Sequence, residues 1–178
     1  MTYQDQLEEQ ASSVTAQVLA ALALYEAGKM TADALTAVVA AYIAAGNSAA
    51  AALADLALAA AVTVQTGAPA APLGITRPAD DPERLTRAAN TLLGSSATAA
   101  RWQRLAEAEI KEAATRAYSE GAKRSPRVTG WTRGLKADAC QLCRWWSRDG
   151  RVWDADHPMP THKGCTCSQL ITTRKEAA

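Results

Sequence analysis

The chain has 178 residues, no phenylalanine and a formal net charge of +1, so no bulk field draws it toward a polyanion. The charge is divided: residues 1–80 carry 2 basic and 7 acidic side chains, and residues 81–178 carry 17 and 11. The opening MTYQDQLEEQ is acidic and polar, unlike a secretory leader. The most apolar run, 49–64, is interrupted by Asp55 and is shorter than the ~20 residues that span a bilayer. A protein without a membrane partner, made in a reducing cytosol, is expected, and clustered cysteines there more often bind metal than form disulfides.

The first third reads as helices with marked stops. One helix is expected over about 3–27, ending at Gly28, with Val14, Val18, Ala21, Leu22 and Tyr25 on one face. Thr31 is a suitable N-cap for a second helix over 32–45, halted by Gly46. Ser48 would cap a third, reaching about Val64. Sixteen of the thirty-one residues in 31–61 are alanine, which favours helix and close approach but buries little area. Such helices form either a small bundle of their own or a docking element on a larger assembly.

Residues 66–81 hold three prolines and two glycines and read as a linker. Asp81 is expected to cap the next helix, with Pro82 at its first position and a stop near Gly94. Ser96 would cap a long helix over 97–122, buried along Leu105, Ala108, Ala113 and Ala117. Beyond Gly121 the texture changes: RVTGWTRGL reads as a strand with a glycine break, and RWWSRDGRVW as a hairpin around Asp149-Gly150.

All four cysteines and both histidines lie between Cys140 and Cys167. Cys140 and Cys143 form C-x2-C; His162 and Cys165 form H-x2-C; Cys167 follows. Paired thiolates with an imidazole suit one tetrahedral, structural zinc per chain. Five donors compete for four places; the knuckle spacing prefers Cys140, Cys143, His162 and Cys165, with Cys167 as the alternative to Cys165 or His162. A disulfide pair or free thiols are the alternatives. His157 reads as an exposed loop histidine. No glutamate lies among the donors, and no H-E-x-x-H, G-x-S-x-G or phosphate loop is present, so no enzyme is expected. Residues 123–178 carry 11 basic and 5 acidic side chains. Arg144, Arg148 and Arg151 lie beside Trp145, Trp146 and Trp153, a mix that can grip phosphates and stack bases. The bland alternative is that the tryptophans pack a small core around the metal.

The ordered set Arg116–Gly121, Trp131, Asp138, C-x2-C, Asp149-Gly150, Trp153, Pro158, Pro160 and H-x2-C-x-C resembles the C-terminal domain of phage Mu F-like minor head (head morphogenesis) proteins. Lys163 and Thr166 stand where that family often has proline and arginine. The resemblance covers roughly residues 92–170 and implies a non-enzymatic minor capsid protein of a tailed bacteriophage. Such a protein acts in head assembly near the portal, in the capsid interior or at the portal vertex. Its expected partners are the portal protein or major capsid protein, packaged DNA, and its own copies through the N-terminal helices. A stand-alone zinc-ribbon-like nucleic-acid binder is the alternative.

The fold class expected is mainly α. An alanine-rich helical segment over 1–66 precedes a linker over 67–81 and a helical hairpin with a long helix over 82–124. A small zinc-stabilised β-hairpin module over 125–178 completes the chain, with 82–170 as the Mu F-like part.

Overall fold

The computed structural model describes residues 2–79, 81–137, 139–162, 164–165 and 167–174. Asp138, Lys163 and Thr166 of the resemblance lie outside these residues. The protein is mainly α, as expected, with four core helices, a short fifth helix and a three-stranded sheet.

Helix α1 spans Tyr3–Glu26. Thr2 and Asp5 close a capping box: the Thr2 hydroxyl accepts the Asp5 N–H at 3.1 Å, and the Asp5 carboxylate accepts the Thr2 N–H at 2.7 Å. Those bonds hold the Asp5 carboxyl below its ordinary pKa. Val14, Val18, Ala21 and Leu22 are buried, and Tyr25 is half-buried against the same core.

Helix α2 runs unbroken over Ala32–Thr66, where two helices separated at Gly46 are expected. Gly46 does not stop it because tertiary packing claims the missing side chain. A Cβ there would sit 2.4 Å from Ile110 Cδ1 and 2.8 Å from Val14 Cγ2. The glycine is the crossing point of α1, α2 and the long helix α4, and that contact outweighs an intrinsic cost of about 1 kcal/mol. Ser48, expected as an N-cap, instead donates to the Ala44 carbonyl at 3.0 Å inside the helix. The true stop is Gly67, left-handed at φ 72°. By length and composition α2 could cross a bilayer, being longer than the 49–64 run considered from sequence, but half of its most apolar window is buried in the protein.

The proline-rich segment is fastened along its length. The buried Asp55 carboxylate accepts the N–H groups of Leu73 (3.0 Å), Gly74 (2.7 Å) and Ile75 (3.1 Å). Thr63 Oγ1 accepts the Ala70 N–H at 3.0 Å, and Ile75 enters the core. The polar break in the apolar run is therefore the anchor of the segment that follows.

Helix α3 spans Asp81–Gly94 and α4 spans Ala99–Arg124. Asp81, expected as an N-cap, turns inward instead: it accepts from Asn47 at 2.8 Å and from Arg84 at 2.9 Å. Arg84 also forms a bidentate pair with Glu109 of α4, at 2.8 and 2.5 Å. Burial alone would raise the Asp81 pKa, but these bonds and the charges of Arg84 and Arg116 win and hold it below the usual value. Thr98, not Ser96, sits at the α4 N-cap position. Trp102, Ala106, Ile110, Ala114 and Ala122 add to the expected stripe, of which Ala113 and Ala117 lie in the core and Leu105 packs at its edge.

Strands β1 (Val128–Gly134), β2 (Trp153–Asp154) and β3 (Ser168–Thr173) form an antiparallel sheet in the order β2-β1-β3. Trp131 of β1 pairs with Trp153 on one side and Ile171 on the other. Ile171 joins the helical core, which runs from Leu7 to that strand as one cluster. Polar ties fix sheet to helices: Gln65 Nε2 donates to the Ile171 carbonyl (2.7 Å), Gln4 Nε2 to Ser168 Oγ (3.0 Å), and Ser119 Oγ to Gln169 Oε1 (2.9 Å). Lys136, just past β1, pairs with Glu8 of α1.

The hairpin expected across Asp149-Gly150 is replaced. Gln141–Ser147 form helix α5, followed by a 3-10 turn at Arg148–Gly150. Arg148, Asp149 and Gly150 all have positive φ (48°, 53° and 85°), which ends α5 sharply and sends the chain toward β2. The turn signal is real, but it terminates a helix, and β2 pairs with β1 rather than with residues 144–147.

Candidate metal centre

Three elements bring the donors together. Cys140 is the N-cap residue of α5, and Cys143 follows one turn later, so the first helical turn aims both sulfurs to one side. His162 and Cys165 lie on the loop that leads from β2 to β3, linked by a Cys165 N–H bond to the His162 carbonyl at 3.0 Å. Cys167 immediately precedes β3 and is buried.

The contacts converge on Cys143, which is 1% exposed. Its sulfur lies 3.1 Å from His162 Nε2 and 3.3 Å from Cys165 Sγ, and Cys140 Sγ lies 3.3 Å from the same His162 nitrogen. Two triads share it: Cys140, Cys143 and His162 form one, and Cys143, Cys165 and Cys167 the other, with donor atoms within 4.8 Å of one another in each. All five donors expected from sequence are thus gathered. The cysteines are free, and a 3.3 Å sulfur separation is far beyond the ~2.05 Å of a disulfide.

These residues fit a metal ion. Zn–S bonds of ~2.3 Å and Zn–N bonds of ~2.0–2.1 Å in a tetrahedron give ligand–ligand edges of about 3.6–3.8 Å. The observed 3.1–3.3 Å contacts fall within about half an ångström of those edges. Thiolates and imidazole also select zinc over the hard cations. Burial pushes the Cys143 thiol well above its ordinary pKa, with further upward pressure from Cys165 and Cys167. Backbone N–H groups at the start of α5, that of Cys143 first, lower the Cys140 thiol. A divalent cation would relieve the cost of ionising the buried Cys143 thiol.

Arg133 is a supporting residue that the sequence reading missed. It is 5% exposed, with Nη1 3.9 Å from Cys143 Sγ, and it donates to the Pro160 carbonyl. Its guanidinium lies 5.3 Å from the Trp146 ring centroid, and Trp146 packs on His162 at 5.9 Å. The period-two alternation of β1 was the available signal: Arg133 shares a face with buried Trp131, so it points inward.

The tryptophans divide. Trp131 is buried and donates to the His157 carbonyl at 2.9 Å; Trp153 stacks on the His157 ring at 4.3 Å. His157 is exposed on its loop, as expected, and braces this stack. Arg151 lies 4.2 Å over the outer face of Trp153. Three indoles thus pack the small module, whereas Trp145 is 77% exposed beside exposed Arg144 and Arg148.

The architecture is that of a helical protein with a small module built around a Cys/His cluster that could hold a metal ion. The family described as VG15 protein matches residues 1–178, and the chain belongs to it; it is a viral family that includes phage proteins. No curated protein and no solved structure matches the chain.

Proposed function

We propose that this is a non-enzymatic structural component of a tailed-phage particle, acting in head assembly at or near the portal. The observation that carries the reading is the chain-long match to a viral family. The ordered ligand motif of the Mu F-like resemblance, folded here into one donor cluster, supports the head-morphogenesis assignment. A structural zinc held by Cys140, Cys143, His162 and Cys165 would cross-link α5 to the loop before β3, with Cys167 packed beside it. Bound there, the ion would supply folding free energy to a module too small to stand on its own core. The helical segment 1–66 would carry the docking contact, and the basic module would face DNA or the head interior. Quantitative mass spectrometry of purified virions tests this: the chain should be present at a fixed, low copy number, and chemical cross-links should join it to portal or major capsid protein. Its absence from virions and from assembling heads would overturn the reading.

A second reading, a nucleic-acid-binding zinc module, draws on the exposed Trp145 flanked by Arg144 and Arg148. Binding to single-stranded DNA that weakens steeply with salt would favour it.

A further inference from the structure

The outer face of α2 is built to meet another helix. From Ala34 to Gln65 the only charged residue is Asp55, and that carboxylate is buried on the 73–75 backbone. Yet one side of the helix is open to solvent: Tyr42, Ala45, Ala49, Ala52, Leu56, Ala60 and Val64 are all exposed, and Val38 is partly so. Tyr42 is 39%, Leu56 58% and Val64 83% exposed. A solvent-facing helix surface normally carries charge, and a continuous apolar strip on a soluble protein marks an interface. The intervals 38, 42, 45, 49, 52 and 56 alternate four and three, the seam spacing of helices packed nearly parallel or antiparallel.

The order of side chains along this seam identifies the occupant. About a point between Ala49 and Ala52, Leu56 mirrors Ala45 and Tyr42 mirrors Ala60, large against small, while the central alanines mirror each other and Val38 mirrors Val64, like against like. An antiparallel copy therefore seats the two bulkiest side chains of the strip, Tyr42 and Leu56, against alanines and closes on alanine at its centre, the self-complementarity of an isologous two-fold interface. We infer that α2 pairs antiparallel with α2 of a second copy of this chain, with the two-fold axis passing between Ala49 and Ala52. The strip between Val38 and Val64 is about 40 Å long. At about 10 Å wide it covers roughly 400 Å2 per copy, about half the share of a standard interface. The free protein should therefore dimerise weakly and concentration-dependently, and fully only where copies are held close. This deepens the docking role proposed for residues 1–66.

Sedimentation velocity of the full chain across a hundredfold concentration range tests it. A monomer–dimer equilibrium is expected, and Ala49→Glu or Ala52→Lys alone should raise its dissociation constant at least tenfold while leaving helical circular dichroism unchanged. Mixing the two variants should restore pairing, because antiparallel register sets position 49 of one copy against position 52 of the other. No recovery on mixing overturns the register. A chain monomeric throughout overturns the pairing, as does a monomer that binds neutral lipid vesicles through this face. Entry of the Ala49→Glu chain into heads is scored separately: a monomeric native chain whose entry that change still blocks would sink the pairing and keep the docking reading.

Discussion

The helical body and the Cys/His module meet the same problem, too little apolar bulk, in opposite ways. The body uses proximity. Gly46 and Gly121 leave room for Ile110, Val14 and Leu58, so backbones close in and small side chains still fill the space. The module cannot do this with one short helix and a two-residue strand, so it gathers five metal donors and a stack of rings instead. A body held by close packing should fail gradually under substitution, whereas a module held by one centre should fail at once.

The largest expected effect is therefore at Cys143, the donor common to both triads. Cys143→Ser should abolish metal binding and unfold residues 135–167, moving tryptophan emission toward that of exposed indole. Far-ultraviolet circular dichroism should remain largely helical, since α1 to α4 hold their own core. Loss of both signals in one cooperative transition would erase the distinction between the regions.

Next comes the one buried ionic cluster of the body among the described residues. Arg84→Ala leaves Asp81 buried without its main cation and should cost about 3–5 kcal/mol in denaturant unfolding. The same cluster gives the body an acid sensitivity with a defined sign. The Asp81 pKa is lower folded than unfolded, so its stabilisation is complete above the unfolded value of about 4 and is lost as pH falls through the folded value. An Asp81→Asn chain should lose this part of the acid dependence. An unchanged stability–pH profile would contradict it.

Smaller still is the cost of filling the helix crossing. Gly46→Ala places a Cβ against Ile110 and Val14 and should destabilise by about 1–2 kcal/mol, the overpacking outweighing the gain in helix propensity. Gly94→Ala, with nothing within 4 Å, should be neutral or slightly stabilising. If both behave alike, the close crossing is not what shapes the body.

The pattern of success from sequence follows from the range of the interactions. The α1 face, Thr31 and the five donors were legible because ligand spacing and helical periodicity are local. The continuity of α2 was not, because the contacts that keep Gly46 helical come from Val14 and Ile110, distant in sequence. Asp81 looked like a cap because its partner Asn47 lies 34 residues away. The tryptophan hairpin failed for a related reason: an Asp-Gly pair specifies a reversal but not whether a helix or a strand enters it, and here the helix over Gln141–Ser147 does. Arg133 was overlooked because a buried arginine is legible only once the strand's inward face is fixed.

Native mass spectrometry of the full chain, purified without chelator in reducing buffer, tests the central claim most directly. The account predicts one zinc per chain at neutral pH, released with unfolding of the module when the histidine and thiolates are protonated by acid. A chain that carries no metal, with its cysteines reduced and its tryptophans still buried, would contradict it.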